Sequence, residues 1–416
     1  MSYDNDYSYK PPRIAVIGGG AAGMMAAGTA ILSGGDVTVF ESQGRLGKKL
    51  AITGKGRCNV TNDTNIQDFL ENVTRNRRFL YAALNALSPS DTKEFFTSLG
   101  VELKTERGNR VFPVSDKASD IVSALKSYSS GAEFIYKKVT DIIKDEDGFK
   151  LISGSSSYRF DRVIIATGGM SYPLTGSDGS GYALAKAMGH TVTELTPSLI
   201  PIESPSPLPE RMQGLSLKNV EIKIKDSTGA VLYTDFGEMM FTHFGVTGPV
   251  ILSASARLKN KDISTLTLSI DLKAALDEQT LDARVLSDFK KNINRDLINS
   301  LDELLPKKLI APFVELVGID PRRKVNSITK EERQKIVATL KSFEIPLSRL
   351  RPIEEAIITS GGIEIKEINP KTMQSKIQEG LFFAGEIIDV DAYTGGFNLQ
   401  IAFSTGYLAG KSAAEI

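Results

Sequence analysis

Three glycines, Gly18, Gly20 and Gly23, and one glutamate, Glu41, are the residues whose types and spacing speak most directly of chemistry. In IAVIGGGAAG the first glycine permits a tight turn, the second lets backbone approach a pyrophosphate, and the third lets a helix pack on a strand. Ala21 and Ala22 open that helix, whose free N–H groups and positive dipole end suit a diphosphate. Glu41 falls 23 residues after Gly18, where a carboxylate that binds a ribose belongs. These positions describe a dinucleotide site and leave open which dinucleotide fills it.

A second group lies near the other end, in LFFAGEIIDVDAYTGGFNLQIAFSTGYLAG. A buried strand stops at Gly385, which allows close backbone approach, and Glu386 can accept hydrogen bonds from the hydroxyls of a ribityl chain. After Gly395 and Gly396, the residues Phe397, Asn398, Leu399 and Gln400 begin a last helix and aim its N–H groups at an electron-rich ring. Negative charge on a reduced flavin is stabilised at such a place. The cofactor expected is therefore FAD, held noncovalently because no His or Cys is placed to attach it. Ala402, Gly406, Ala409 and Gly410 form a small-residue stripe that also suits close helix packing.

Two further loops point the same way. VIIATGG brings Ala166, Thr167 and Gly168 past the adenine side of such a cofactor. The following GSDGSGYALAKAMGH reads either as a second phosphate loop, for NADH or NADPH, or as a glycine-rich loop of the flavin domain. No strand runs into it and no acid follows at the right place, which favours the second reading. In the stretch after Glu41, Lys48, Lys49 and Arg57, with Arg45 and Lys55, are expected to neutralise diphosphate, while Ser42, Gly56, Cys58 and Asn59 complete the expected contacts. Cys58 is either a thiolate nucleophile activated by Arg57 or a buried inert thiol, and the second reading is preferred.

The elements that must hold these residues follow from pattern. Arg13 to Ile17 and Val37 to Phe40 are short apolar strands flanking an Ala/Met-rich helix, Ala21 to Leu32; Arg162 to Ala166 and Leu381 to Ala384 are two more buried strands. Thr196 to Pro209 reads as a proline-rich linker and domain boundary. Val220 to Lys225, Val231 to Phe236 and Leu266 to Leu272 alternate as half-buried strands do, Leu276 to Lys341 is helical in period, and Phe343 to Leu347 returns as a strand. The fold class is thus α/β, with a Rossmann-like FAD-binding domain over 1–195 and 352–416, an inserted β domain over 196–275 and 342–351, and a helical subdomain over 276–341.

Composition restricts the function. Fifty basic residues balance 50 acidic ones in 416, which removes any global electrostatic case for nucleic acid or an anionic membrane and favours a small-molecule substrate. One cysteine excludes an intrachain disulfide and any CxxC site, and no metal site is expected. The start, MSYDNDYSYKPPR, reads as a loose tail, and no apolar run reaches the roughly 18 residues of a membrane span, so a cytoplasmic protein is expected.

Taken together, GKGRCNVTN at 54–62, ATGGMSYPLTGSDGSGYALAKAMGH at 166–190, FTHFGVTGPVIL at 241–252, ITSGGIEIKEINPKTMQSK at 358–376 and GEIIDVDAYTGGFNLQIAFSTGY at 385–407 resemble the BaiN/YhiN-like flavoproteins. Members are often called aminoacetone-oxidase-type or NAD(P)/FAD-dependent oxidoreductases. The resemblance implies a glutathione-reductase-type FAD domain interrupted by a β-barrel-like domain with a helical subdomain. It also implies FAD contacts at Gly18 to Gly23, Glu41, Gly385, Glu386 and the Gly396 to Gln400 helix start. It transfers no substrate: one branch reduces enone-like bile acid intermediates, another oxidises a small amino ketone. Disulfide reductases resemble this chain in the Rossmann unit but carry two cysteines after the ribose acid, whereas Cys58 stands alone, which excludes dithiol chemistry.

Acid or base candidates are few. His243, before a glycine turn in the inserted domain, Thr359 at the return to the flavin domain and Tyr393 before the double glycine are the candidates; His190 reads as a helix cap or surface residue. The leading function is an FAD-dependent oxidoreductase passing hydride between NAD(P)H or a small organic substrate and flavin. Alternatives are an oxygen-dependent oxidase of a small amine or amino ketone, and a flavoprotein that binds RNA or a protein through Lys307-Lys308 and Arg322-Arg323-Lys324. The oligomeric state is left open.

Overall fold

A computed structural model describes residues 10–258 and 261–415; most of the tail read as loose lies outside the described residues. The chain divides into two compact units, one ending at Pro197 and resuming at Ile353, the other Ser198–Pro352.

The first unit is built on a five-stranded parallel sheet. Its strands are β1 (Arg13–Ile17), β2 (Asp36–Phe40), β3 (Glu133–Ile135), β4 (Arg162–Ile165) and β5 (Leu381–Phe383), in the spatial order β5-β4-β1-β2-β3. Ile17 pairs with Phe40 on one side and Ile165 on the other, Phe40 with Ile135, and Ile165 with Phe383. This register brings all the strand ends level, so the loops that leave them share one edge, where ligands of parallel α/β sheets bind. β1, β4 and β5 are continuous apolar runs because both faces of the sheet are covered.

On one face, α1 (Ala21–Leu32) packs against α3 (Phe397–Glu415). The small residues make that approach possible: a Cβ on Gly406 would lie 2.4 Å from the Ala22 carbonyl oxygen, and one on Gly410 2.2 Å from that of Ala26. Between these two helices in sequence comes α2 (Ser180–Ala187), which runs into Gly189 and His190. A three-stranded antiparallel sheet, Asp141–Asp145, Gly148–Ser153 and Ser156–Phe160, meets Phe40 edge-on through Tyr158 and Phe160.

The second unit carries a seven-stranded antiparallel sheet in the order Phe343–Pro346, Thr267–Asp271, Ser216–Lys225, Val231–Phe241, Gly245–Thr247, Ile202–Glu203, Arg349–Leu350. Its two edge strands are separated by only Leu347 and Ser348, a link too short to span an open sheet, so the sheet curls back toward itself. Helices Glu278–Lys291, Lys307–Val317 and Lys330–Lys341 bury Leu281, Val285, Phe313, Ile336 and Leu340 in the same core as the sheet.

The stretch expected as a linker is corrected here. Ile202 pairs with both Val246 and Leu350 and is fully buried, so the proline-rich segment contributes an interior strand. Pro201 and Pro205 flank Ile202 and Glu203 rather than occupying that ladder, while Pro197 lies in a separate short strand, Thr196–Ser198.

Candidate active site

The glycine turn after β1 is shaped by contacts that only glycine allows. Gly18 has φ +110°, and a Cβ there would lie 2.5 Å from the Ala166 carbonyl oxygen; one on Gly23 would lie 1.8 Å from the carbonyl oxygen of Gly18. Gly20 differs, because nothing stands within 4 Å of where its Cβ would be. It is the N-cap of α1, which has no side-chain cap and no acid in its first turn. The N–H groups of Ala21, Ala22 and Gly23 lack an i−4 acceptor at this uncapped start, which is what a diphosphate site offers.

Glu41 continues directly from β2 and is nearly buried; it accepts the Gly19 N–H at 2.9 Å and the Gln43 N–H at 2.7 Å. These bonds fix the carboxylate against the glycine turn and leave lone pairs for a sugar. Ser42 is exposed.

At the other end of the same edge, Glu386 follows β5. It accepts Lys49 Nζ at 2.6 Å, Ser171 Oγ at 3.1 Å and the Thr359 N–H at 2.8 Å. Gly385, at φ +79°, makes the turn and donates its N–H to Thr405 Oγ1 on α3. Lys48 Nζ reaches the Gln43 side-chain oxygen and the Leu174 carbonyl. Ser171, which joins this cluster from the β4 side, was not singled out in the sequence; it sits in ATGGMSYPLTG, two residues after the Gly168-Gly169 turn that was.

The start of α3 completes the edge. A Cβ on Gly396 would lie 2.3 Å from the Thr61 carbonyl, and Asn62 donates to the Gly395 carbonyl at 3.0 Å, so strand 61–62 is pressed on the double glycine. Asn398 ties the approach loop through the Ala392 N–H and carbonyl and the Tyr393 carbonyl. Phe397 is buried edge-on against Phe69, and Leu399 is half-buried.

Some expected contacts are engaged elsewhere. Gln400 is fully buried, with its N–H on the Gly396 carbonyl and its side chain on Thr61, Leu87, Thr92 and Ser404, so it fastens the helix from inside instead of facing a ring. Arg57 is held by Glu106 and Asp116 and lies over the Phe112 ring at 4.2 Å. Those carboxylates raise its guanidinium and are themselves lowered, so its charge is already answered without a diphosphate. Cys58 has φ +60° and is fully buried; burial pushes its thiol up to about 12, which removes the thiolate reading. Gly56 is exposed at φ +84°.

His190 is neither cap nor surface residue. Its side chain is wholly buried, Nδ1 3.1 Å from Glu367 and Nε2 2.8 Å from Ser375 Oγ, and burial lowers its pKa. His243 is exposed in the inserted unit, stacked edge-on with Phe244. Thr359 is fully buried with Oγ1 accepting the Met170 N–H at 2.7 Å, and Tyr393 is half-buried. The GSDGSGY loop enters α2 from a short 3₁₀ turn, not a strand, and Gly181 makes room for Thr167, whose Oγ1 would lie 1.9 Å from an added Cβ.

FAD fits this arrangement. Asn59 Oδ1 is buried without a hydrogen-bond partner, two residues before the strand that meets the α3 start, and Gly20 fronts open space, whereas Thr167 Oγ1, also without a partner, is turned toward Gly181 of α2. Buried polar atoms of this kind call for a ligand or water. In the inserted unit the basic side chains are mostly answered: Lys308 by the Gln213 carbonyl, Arg323 by Glu332 and Lys324 by Asp296. A groove of about 750 Å³ there mixes Arg295, Lys307 and Lys324 with Asp296 and Asp302. Among the described residues no helix is long and apolar enough to cross a membrane, and no group of three or more His, Cys, Asp or Glu is placed to hold a metal.

Residues 12–412 match the HI0933-like protein Rossmann domain. The chain is 31% identical to the 3-dehydro-bile acid delta(4,6)-reductase of Clostridium scindens, covering 97% of this chain and 99% of that one. It is 28% identical to the ribosomal RNA dihydrouridine synthase of Escherichia coli, covering 94% and 95%. Among solved structures, the 3-ketosteroid delta1-dehydrogenase of Sterolibacterium denitrificans shares the fold, with a TM-score of 0.53 at 12% identity over 96% of this chain and 99% of that one.

Proposed function

We propose that this chain, which belongs to the HI0933-like Rossmann-domain family of FAD-dependent oxidoreductases, uses NADH or NADPH to reduce a carbon–carbon double bond conjugated to a carbonyl group in a small molecule. The observation that carries this reading is the chemistry its relatives' names have in common. A delta(4,6)-reductase of a 3-dehydro bile acid and a dihydrouridine synthase both saturate a double bond in conjugation with a carbonyl.

When bound, FAD supplies hydride transfer at its ring. The chain's own residues then have three tasks. The uncapped α1 start and the Gly18–Gly23 turn hold the diphosphate, and Glu41 and Glu386 grip the two polyhydroxyl segments on either side of it. The α3 start at Gly396 to Leu399 would offer its free N–H groups to the ring and would stabilise negative charge there. Tyr393, held beside this helix start by Asn398, is the proposed proton donor for the second carbon of the double bond.

The test is anaerobic. Purified yellow protein is mixed in stopped flow with NADH, NADPH or a small amino ketone, and the reduced protein is then mixed with a 3-oxo-Δ4 steroid. Bleaching by a pyridine nucleotide followed by reoxidation with the steroid supports the reading; bleaching by the amino ketone alone replaces it with the oxidase. A second reading, uridine in ribosomal RNA as substrate, is favoured by the dihydrouridine synthase relatives of Escherichia coli and Haemophilus influenzae. Reoxidation by an rRNA fragment and not by the steroid would select it.

A further inference from the structure

Lys49 was expected to face a diphosphate, yet its ammonium is committed to Glu386, 337 residues away in sequence, with Ser171 Oγ as a second acceptor at 2.8 Å. Ser171 is fully buried and itself donates to Glu386, so the three side chains form a closed ring of hydrogen bonds. The carboxylate lies over the Gly168–Gly169 turn, where a Cβ on Gly169 would come within 3.0 Å of Glu386 Oε1. A carboxylate has about four acceptor sites, and three donors already fix this one. What remains is one oriented lone pair beside a neutralised charge, which suits an uncharged hydroxyl.

The same lysines fasten a segment of chain. Ser171–Gly176 leaves this ring, turns at Tyr172 (φ +55°) and Gly176 (φ +104°), and is tied at its crest by Lys48 to the Leu174 carbonyl. Its far end rests on Gln43, 2.9 Å from where a Gly176 Cβ would be, with Glu41 Oε1 at 3.9 Å. The segment therefore runs from the carboxylate after β5 to the carboxylate after β2, across the sheet edge that the cofactor must follow. Leu174 is 85% exposed, so its own side chain does not anchor the segment.

We propose that Lys49 and Ser171 are positioning residues for Glu386, and that Lys49 with Lys48 latches Ser171–Gly176 as a strap across the cofactor, so that the latch sets how fast FAD leaves. This rests on Glu386 holding the ribityl hydroxyls.

The test measures release of FAD from holoenzyme into an excess of a tight-binding apoflavoprotein, followed by flavin fluorescence. K49M is expected to release FAD about tenfold faster or more, the loss of one charge-assisted hydrogen bond. K49R, which keeps the charge, is expected to stay within about threefold of wild type, and K48M and S171A to fall between. Wild-type release should accelerate with ionic strength, and that of K49M should not. A K49M rate equal to wild type, or K49R as fast as K49M, overturns the proposal. If K49M yields no holoenzyme, wild-type release that is flat in salt overturns it and salt-accelerated release supports it. E386Q separates the two levels: unchanged release in E386Q removes the underlying reading of Glu386, whereas fast release in E386Q with normal release in K49M removes only the latch.

Discussion

At the scale of single residues, the glycine turn makes two opposite predictions from neighbouring positions. A methyl group on Gly23 would collide with the Gly18 carbonyl at 1.8 Å, while one on Gly20 meets nothing. G23A should therefore lower the stability of the apoprotein by about 3 kcal/mol, the upper end for an inserted methyl, read by chemical denaturation. G20A should unfold like wild type and bind FAD roughly ten- to hundredfold more weakly in a fluorescence titration, because the methyl occupies the phosphate space. Equal stability loss in both would mean the turn, not the ligand, requires Gly20. Cys58 gives a third outcome: with its thiol buried and raised, it should resist iodoacetamide at pH 8 in the native protein and react once in 6 M guanidinium, followed by mass spectrometry. The glycines were legible because their spacing reports local backbone needs. Arg57 was not, since its partners Glu106 and Asp116 come from strand and turn residues about 50 positions later that no local pattern ties to it.

At the scale of elements, the sequence revealed β1, α1 and β2 because their periods and turn residues agree. The contact between α1 and α3 was visible only as a stripe of small residues, and the structure supplies its partner atoms: the carbonyl oxygens of Ala22 and Ala26. G406V or G410V should force the helices apart and move the Gly385 turn, which is hung from α3 through Thr405. Weakened FAD binding accompanied by a lower melting temperature is the expected result. An unchanged melting temperature in both variants would contradict the packing described. Thr196 to Pro209 shows the limit of composition: five prolines obscure a paired residue, Ile202, whose partners Val246 and Leu350 lie far along the chain.

For the whole molecule, acid should act through His190. Burial lowers its imidazole below 6.5, and Glu367 only partly offsets this. The unfolded chain then binds a proton where the folded chain does not. This contribution to stability is complete above about pH 6.5 and is lost as pH falls below it. Glu367 acts in the same direction at lower pH, because the Thr191 N–H and His190 outweigh the effect of its burial and hold it below 4.5. Urea unfolding of wild type should show a loss of about 1 kcal/mol for each pH unit that the imidazole is depressed, between pH 7 and 5. H190N should be less stable at pH 7 but flatter across that range; a parallel slope would assign the acid sensitivity elsewhere.

The parallel sheet also has a history in time. Four of its strands and the phosphate turn are made before residue 166, but β5, Glu386 and α3 are not made until the excursion through Ser198–Pro352 has been translated. On the proposed assignment, a nascent chain leaving the ribosome would carry the diphosphate grip without the ribityl grip, and it has an α1 face with no α3 to cover it. Flavin capture is then expected only at the end of synthesis, and a stalled chain that has emerged only through Ile358 should remain colourless.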